Sequence, residues 1–205
     1  MMRYIEHGEV TAESPVVIVL HWMTGTSEVM DFLFDGMQTP AKLYYLQAEY
    51  PSGHEAGGYS WFPQGMAFYD LIDEEQALLI RQEAAKLADV IRELKATGKV
   101  IVTGMSQGGD LALHLAVYHS DVIDLAIPCA GRLSAVMRPD DVSDSSVVIR
   151  MQQGEVDAIV SVESAREARN WLKGKGFDVD LDTYPDVGHD FSAEMIACIQ
   201  GLVAS

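Results

Sequence analysis

Cysteine is nearly absent from this chain of 205 residues: only Cys129 and Cys198 occur, both in apolar surroundings. A disulfide framework is thereby excluded as the source of stability, and the fold must rest on a buried core. Basic residues are scarce too, 14 Lys and Arg against 31 Asp and Glu, for a net charge of −17. Nucleic acid and anionic membrane surfaces are recognised by clustered cations, so neither is an expected partner. No apolar run approaches the length of a membrane span, and the amino terminus, MMRYIEHGEV, lacks the apolar core of a secretory signal. The expectation is a cytoplasmic location without integral membrane association. The six histidines show no paired ligand spacing, which leaves a metal site without candidates. Repeats and low-complexity linkers are missing as well. With 48% hydrophobic residues the chain can bury a large core, and one domain over residues 1–205 is expected.

What is present is an alternation of strand and helix patterns. Arg3 to Glu9 reads as a weak first strand, and Pro15 introduces a clear one at Val16 to Leu20, apolar on both faces as central parallel strands are. A helix around Glu28 to Met37 and a strand at Ala41 to Leu46 follow. From Gln47 to Leu71 no element is legible; prolines and glycines are interleaved with Tyr50, Tyr59, Trp61, Phe62, Phe68 and Tyr69. So long and aromatic a loop is expected to form a wall of a substrate site. A helix starts at Asp73 with Gln76 as a capping box, shows an apolar stripe from Ile80 to Leu94, and stops at Gly98. Further strands are read at Val100 to Thr103, Val122 to Pro128, Val147 to Gln152 and Phe177 to Tyr184, with a polar loop from Arg138 to Ser145. Ser161 caps a helix to about Lys173, and Phe191 to Val203 forms the last one. Such an order implies an α/β fold, a mostly parallel central sheet with helices on both faces.

The chemistry concentrates in KVIVTGMSQGG, residues 99–109. A β-branched strand breaks at Gly104-Met105-Ser106-Gln107-Gly108 and continues as the helical run Asp110 to Val117. Gly-x-Ser-x-Gly between a strand and a helix is a nucleophile elbow, with glycines where strand and helix pass too closely for β-carbons. Ser106 would stand at a helix N-terminus, where unpaired N–H groups favour developing negative charge. A serine hydroxyl needs a base and a carboxylate that orients it, supplied in an open sheet by loops after later strands. Asp157 follows one such strand and His189 the next, in the order Ser, Asp, His. Asp186 and Asp190 are nearer to His189 in sequence, but neither comes from a separate strand end. His7, His54, His114 and His119 fit the base position less well. One oxyanion donor is the amide of Gln107, and the other is expected from the loop His21 to Thr24.

Leu20-His21, Ser60-Trp61-Phe62, Gly104-Met105-Ser106-Gln107-Gly108-Gly109, Gly154-x-x-Asp157 and Gly188-His189 together resemble the carboxylesterase, lysophospholipase and acyl-protein thioesterase branch of the α/β-hydrolases. The resemblance implies a single-domain α/β-hydrolase acting as a cofactor-free serine esterase. Ser106, Asp157 and His189 form its triad, and the amides of Met23 and Gln107 its oxyanion hole. Three positions depart from the pattern: Trp22 where glycine is usual, Gln153 in place of histidine, and Ser161 in place of proline. Trp22, Trp61, Phe62 and Met105 are expected as apolar contacts of a small ester, and −17 disfavours strongly anionic substrates. A homodimer is compatible with this reading. A hydrolase fold reduced to a ligand-binding module is the alternative.

Overall fold

The computed structural model describes residues 3–7, 14–94, 97–142 and 146–205. Seven strands form the main sheet: β1 (Arg3–His7), β2 (Val16–Leu20), β3 (Lys42–Gln47), β6 (Val100–Met105), β7 (Leu125–Cys129), β8 (Val148–Gly154) and β9 (Asp178–Tyr184). Their order is β1-β3-β2-β6-β7-β8-β9, all parallel except β1, which runs antiparallel to β3. β2 and β6 lie side by side at the centre and are buried along their whole length, the burial that their two-sided apolar runs require. β9 is an edge strand whose Asp178, Asp180 and Asp182 face water while Val179 turns inward.

Helices cover both faces. α1 (Asp73–Glu93), α2 (Gln107–Tyr118) and α3 (Val162–Gly174) supply Ile80, Leu87, Leu111, Leu115, Ala168 and Leu172 to the larger core, which includes Ile18 and Leu20. α4 (Ala193–Val203) packs Met195, Ile199 and Val203 on the opposite face, against Val17 and Val19. The alternation along β2 thus feeds two cores from five residues.

Several expectations shift. Residues Glu28–Phe34 form a 3-10 helix rather than an α-helix, with Met30, Leu33 and Phe34 buried. Strand β7 begins at Leu125, because Asp124 turns its carboxylate onto the Val100 amide at 2.7 Å and ends the preceding loop there. The stretch expected to lack elements holds a short hairpin, β4 (Tyr50–Pro51) with β5 (Tyr59–Ser60), and a 3-10 helix at Gly65–Asp70. No capping box forms at α1: Ile72 is the N-cap, and Gln76 bonds the Leu71 carbonyl instead, at 2.9 Å. Ser161 does cap α3, accepting from Ser164 at 3.2 Å. Gly8, Glu9 and residues 143–145, read above in a strand and a loop, lie outside the described residues.

Candidate active site

β6 delivers Ser106 to the carboxyl edge of the sheet with φ 57° and ψ −115°, a left-handed conformation that a serine adopts only under constraint. The constraint is visible at Gly108: a β-carbon there would meet the Leu20 carbonyl oxygen at 2.3 Å, so α2 could not approach β2 with any other residue. The turn is tied down from both sides, Ser106 N donating to Cys129 O at 3.0 Å and Asp110 N to Ser106 O at 2.8 Å.

The loop after β2 is shaped by His21. Its Nδ1 lies 2.6 Å from the Trp22 carbonyl oxygen and its Nε2 accepts from Ala48 N at 3.2 Å, so the ring is neutral with the proton on Nδ1. Complete burial lowers its pKa to about 4. The turn that follows is made without glycine at position 22. Thr24 takes the left-handed conformation (φ 72°) and donates to Tyr59 O at 2.9 Å, and Gly25 N closes onto Trp22 O at 3.0 Å.

Two loops at the same carboxyl edge, after β8 and β9, bring Asp157 and His189 together, with His189 Nδ1 2.7 Å from Asp157 Oδ2. The Asp157 carboxylate is shielded from water and fully satisfied. Oδ1 accepts from Ile159 N and Val160 N at 2.7 and 2.8 Å, and Oδ2 from Gln153 Nε2 at 3.2 Å. Gln153 also donates to Val160 O at 2.8 Å, so the residue standing in place of histidine fastens the Asp157 loop. The two loops are bridged by Glu155 N to Tyr184 O and Val156 N to Val187 O. Gly154 permits the approach, since a β-carbon there would sit 2.2 Å from Val187 O.

Ser106 and His189 line one cavity of about 590 Å³ with Trp22, Met23, Met105, Met66, Tyr69, Ile159, Asp190 and Phe191. No hydrogen bond joins Ser106 to His189 among the described residues, and such bonds commonly close only when substrate is bound. Of the apolar contacts expected, Trp22 and Met105 line the cavity. Trp61 and Phe62 do not: they are 0% and 1% exposed and belong to the core. Phe62 stacks on Phe68 at 4.1 Å, and Trp61 holds the site's frame, its Nε1 donating to His21 O at 2.8 Å and its amide to Gln107 Oε1 at 3.1 Å. Their size suited a pocket wall, but the hairpin β4–β5 turns them inward. Met66, Tyr69, Ile159 and Phe191 complete the lining; only Tyr69 carried a sequence signal, through the aromatic stretch. Ile159 is 68% exposed, in the short run Ala158-Ile159-Val160 after Asp157 that no periodicity marks.

Among the described residues no group of three or more His, Cys, Asp or Glu could hold a metal ion, and no helix is long and apolar enough to cross a membrane.

The fold is similar to that of several solved structures. The Bacillus cereus carboxylesterase shares 16% identity at a TM-score of 0.78, with 99% of this chain and 93% of that chain covered. Acyl-protein thioesterase 2 of Zea mays shares 18% at 0.76, with 98% and 97% covered. At these identities the likeness shows the fold. Acyl-protein thioesterase 1 of Gibberella zeae is 29% identical over 97 residues, which span 44% of this chain and 41% of that relative. The pattern of one family runs from β1 into α4, over residues 4–197, and the chain belongs to the dienelactone hydrolase family, within the α/β-hydrolase superfamily.

Proposed function

We propose that the protein is a serine ester hydrolase that cleaves carboxylic esters or thioesters through an acyl-enzyme. The observation that carries this reading is the oriented base. His189 is fixed by a buried, fully satisfied carboxylate at 2.7 Å and lines the cavity that Ser106 enters from a strained turn. Asp157 accepts from Nδ1–H of His189, which leaves Nε2 unprotonated and able to take the Ser106 proton. As Ser106 Oγ attacks the carbonyl carbon, the main-chain amides of Met23 and Gln107 bind the oxyanion. The imidazolium then protonates the departing alkoxide or thiolate, and water, deprotonated by the same imidazole, releases the acid and regenerates Ser106.

Apolar side chains dominate the lining, from Trp22, Met66, Met105, Ile159 and Phe191, which suits an uncharged acyl group of modest length. The thioesterase named among the relatives supports including thioesters in the substrate class. The test is a series of p-nitrophenyl esters of increasing acyl length, wild type beside Ser106→Ala. Turnover by the wild type and its loss in a folded variant is the expected result, and the length profile reports the depth of the cavity. Substantial turnover by folded Ser106→Ala would remove Ser106 from the mechanism. Stoichiometric retention of an ester without hydrolysis by the wild type would favour a binding module.

A further inference from the structure

Tyr69 has no part in the acyl transfer described above, yet it lines the cavity beside Ser106, and its hydroxyl faces the side chains of Ser106 and Gln107. The Gln107 side chain is held in one orientation. Its Oε1 accepts from Trp61 N at 3.1 Å and from Ser60 Oγ at 3.3 Å, so the amide NH2 points the other way. That Nε2 is buried and has no closed hydrogen bond among the described residues. The Tyr69 hydroxyl is the group this side chain acts on; once the NH2 donates to the phenol oxygen it engages a lone pair and leaves the phenol proton for another acceptor. Packing sets the ring in place: the Arg132 guanidinium lies 5.4 Å from its centroid, and Phe68 meets it edge-on at 5.2 Å. Arg132 is itself pinned to buried Asp110 by contacts of 2.7 and 3.2 Å, on the first turn of the helix that begins after Ser106.

We propose that Tyr69 is a third hydrogen-bond donor to the substrate oxygen at Ser106, adding its hydroxyl to the amides of Met23 and Gln107 as that oxygen becomes negative. The proposal rests on the reading of Ser106 as nucleophile. No proton is transferred: Tyr69 is 36% exposed, and partial desolvation, with Asp110 nearby, raises its hydroxyl above the ordinary value, so it stays a phenol and a donor at neutral pH. The gain is confined to the tetrahedral state, because a ground-state carbonyl oxygen carries little charge to stabilise.

Tyr69→Phe keeps the ring and its packing and removes only the hydroxyl. On a p-nitrophenyl ester its kcat should fall about 10- to 100-fold, with KM changed less than about twofold and the thermal midpoint held. Affinity for an aryl boronic acid, which forms a tetrahedral adduct on the serine, should fall by a similar factor, while affinity for the carboxylate product stays level. Gln107→Glu keeps the acceptor for Trp61 but replaces the buried donor, turning the phenol proton away from substrate. It should lower kcat and boronate affinity in the same direction. Wild-type kcat and boronate affinity in folded Tyr69→Phe would overturn the proposal and reduce Tyr69 to a wall of the cavity, as would a loss confined to KM. A wild type that neither hydrolyses esters nor binds the boronate fails differently, taking the nucleophile reading down and this proposal with it.

Discussion

Asp157 keeps four hydrogen-bond donors on a carboxylate with no exposure to water, an arrangement that serves orientation as much as charge. If its task is to hold the His189 tautomer, an isosteric amide should retain the loop and lose the chemistry. Asp157→Asn can still accept from Ile159 and Val160 through its carbonyl oxygen, but its NH2 then faces Nδ1 and favours the tautomer with the proton on Nε2. We expect kcat for ester hydrolysis to fall about 10³- to 10⁴-fold while the folded state persists in circular dichroism. A loss below about tenfold would assign the orienting role to another carboxylate. Asp190 is the nearest alternative in sequence, but its Oδ1 accepts from Phe191 N at 2.8 Å on the cavity rim.

At the scale of elements, two histidines carry a pH signature. His21, in the loop after β2, and His114, within α2, are both fully buried, and desolvation lowers each to about 4 from 6.5. The unfolded chain therefore binds protons that the folded chain refuses between those values. Their stabilisation is complete above about 6.5 and is lost as pH falls toward 4, each worth about 3 kcal/mol at neutral pH. Urea midpoints measured from pH 7 to 4 should show this slope. It should be shallower by about one proton in His114→Phe, which keeps a ring against Tyr118 and removes the titrating group. Equal slopes in the two proteins would mean that His114 is not held neutral. Neither histidine announced this in the sequence, where a histidine on an apolar helix face and one before a turn look ordinary. What was legible followed steric rules of short range: the elbow glycines, the two-sided strands, the Ser161 cap and the alternation at β9. The turn at Thr24, the burial of Trp61 and Phe62 and the placing of Tyr69 beside Gln107 depend on contacts across 40 residues or so of chain, and no local pattern encodes them.

For the molecule as a whole, the net charge of −17 acts at every surface point and is screened by salt over about 10 Å at 0.1 M. Its effect is divided unevenly. On β9, Asp178 and Asp180 are answered by Arg150 at 2.9 and 4.0 Å, and the exposed acids discourage another strand from adding to that edge. At the cavity the lining is mostly apolar, with Asp190 the one acid among its lining residues, so an approaching anion meets the field of the whole protein. An ester bearing a carboxylate should therefore be hydrolysed with a kcat/KM that rises as sodium chloride goes from about 0.01 to 0.5 M, whereas its neutral counterpart should stay nearly level. The comparison cancels any general effect of salt on stability or on the acyl-transfer step, because both substrates share them. A kcat/KM for the anionic ester that falls with salt would mean that the cavity carries a locally positive potential despite the surrounding acids. The substrate preference would then lie with acidic esters, opposite to what the global charge implies.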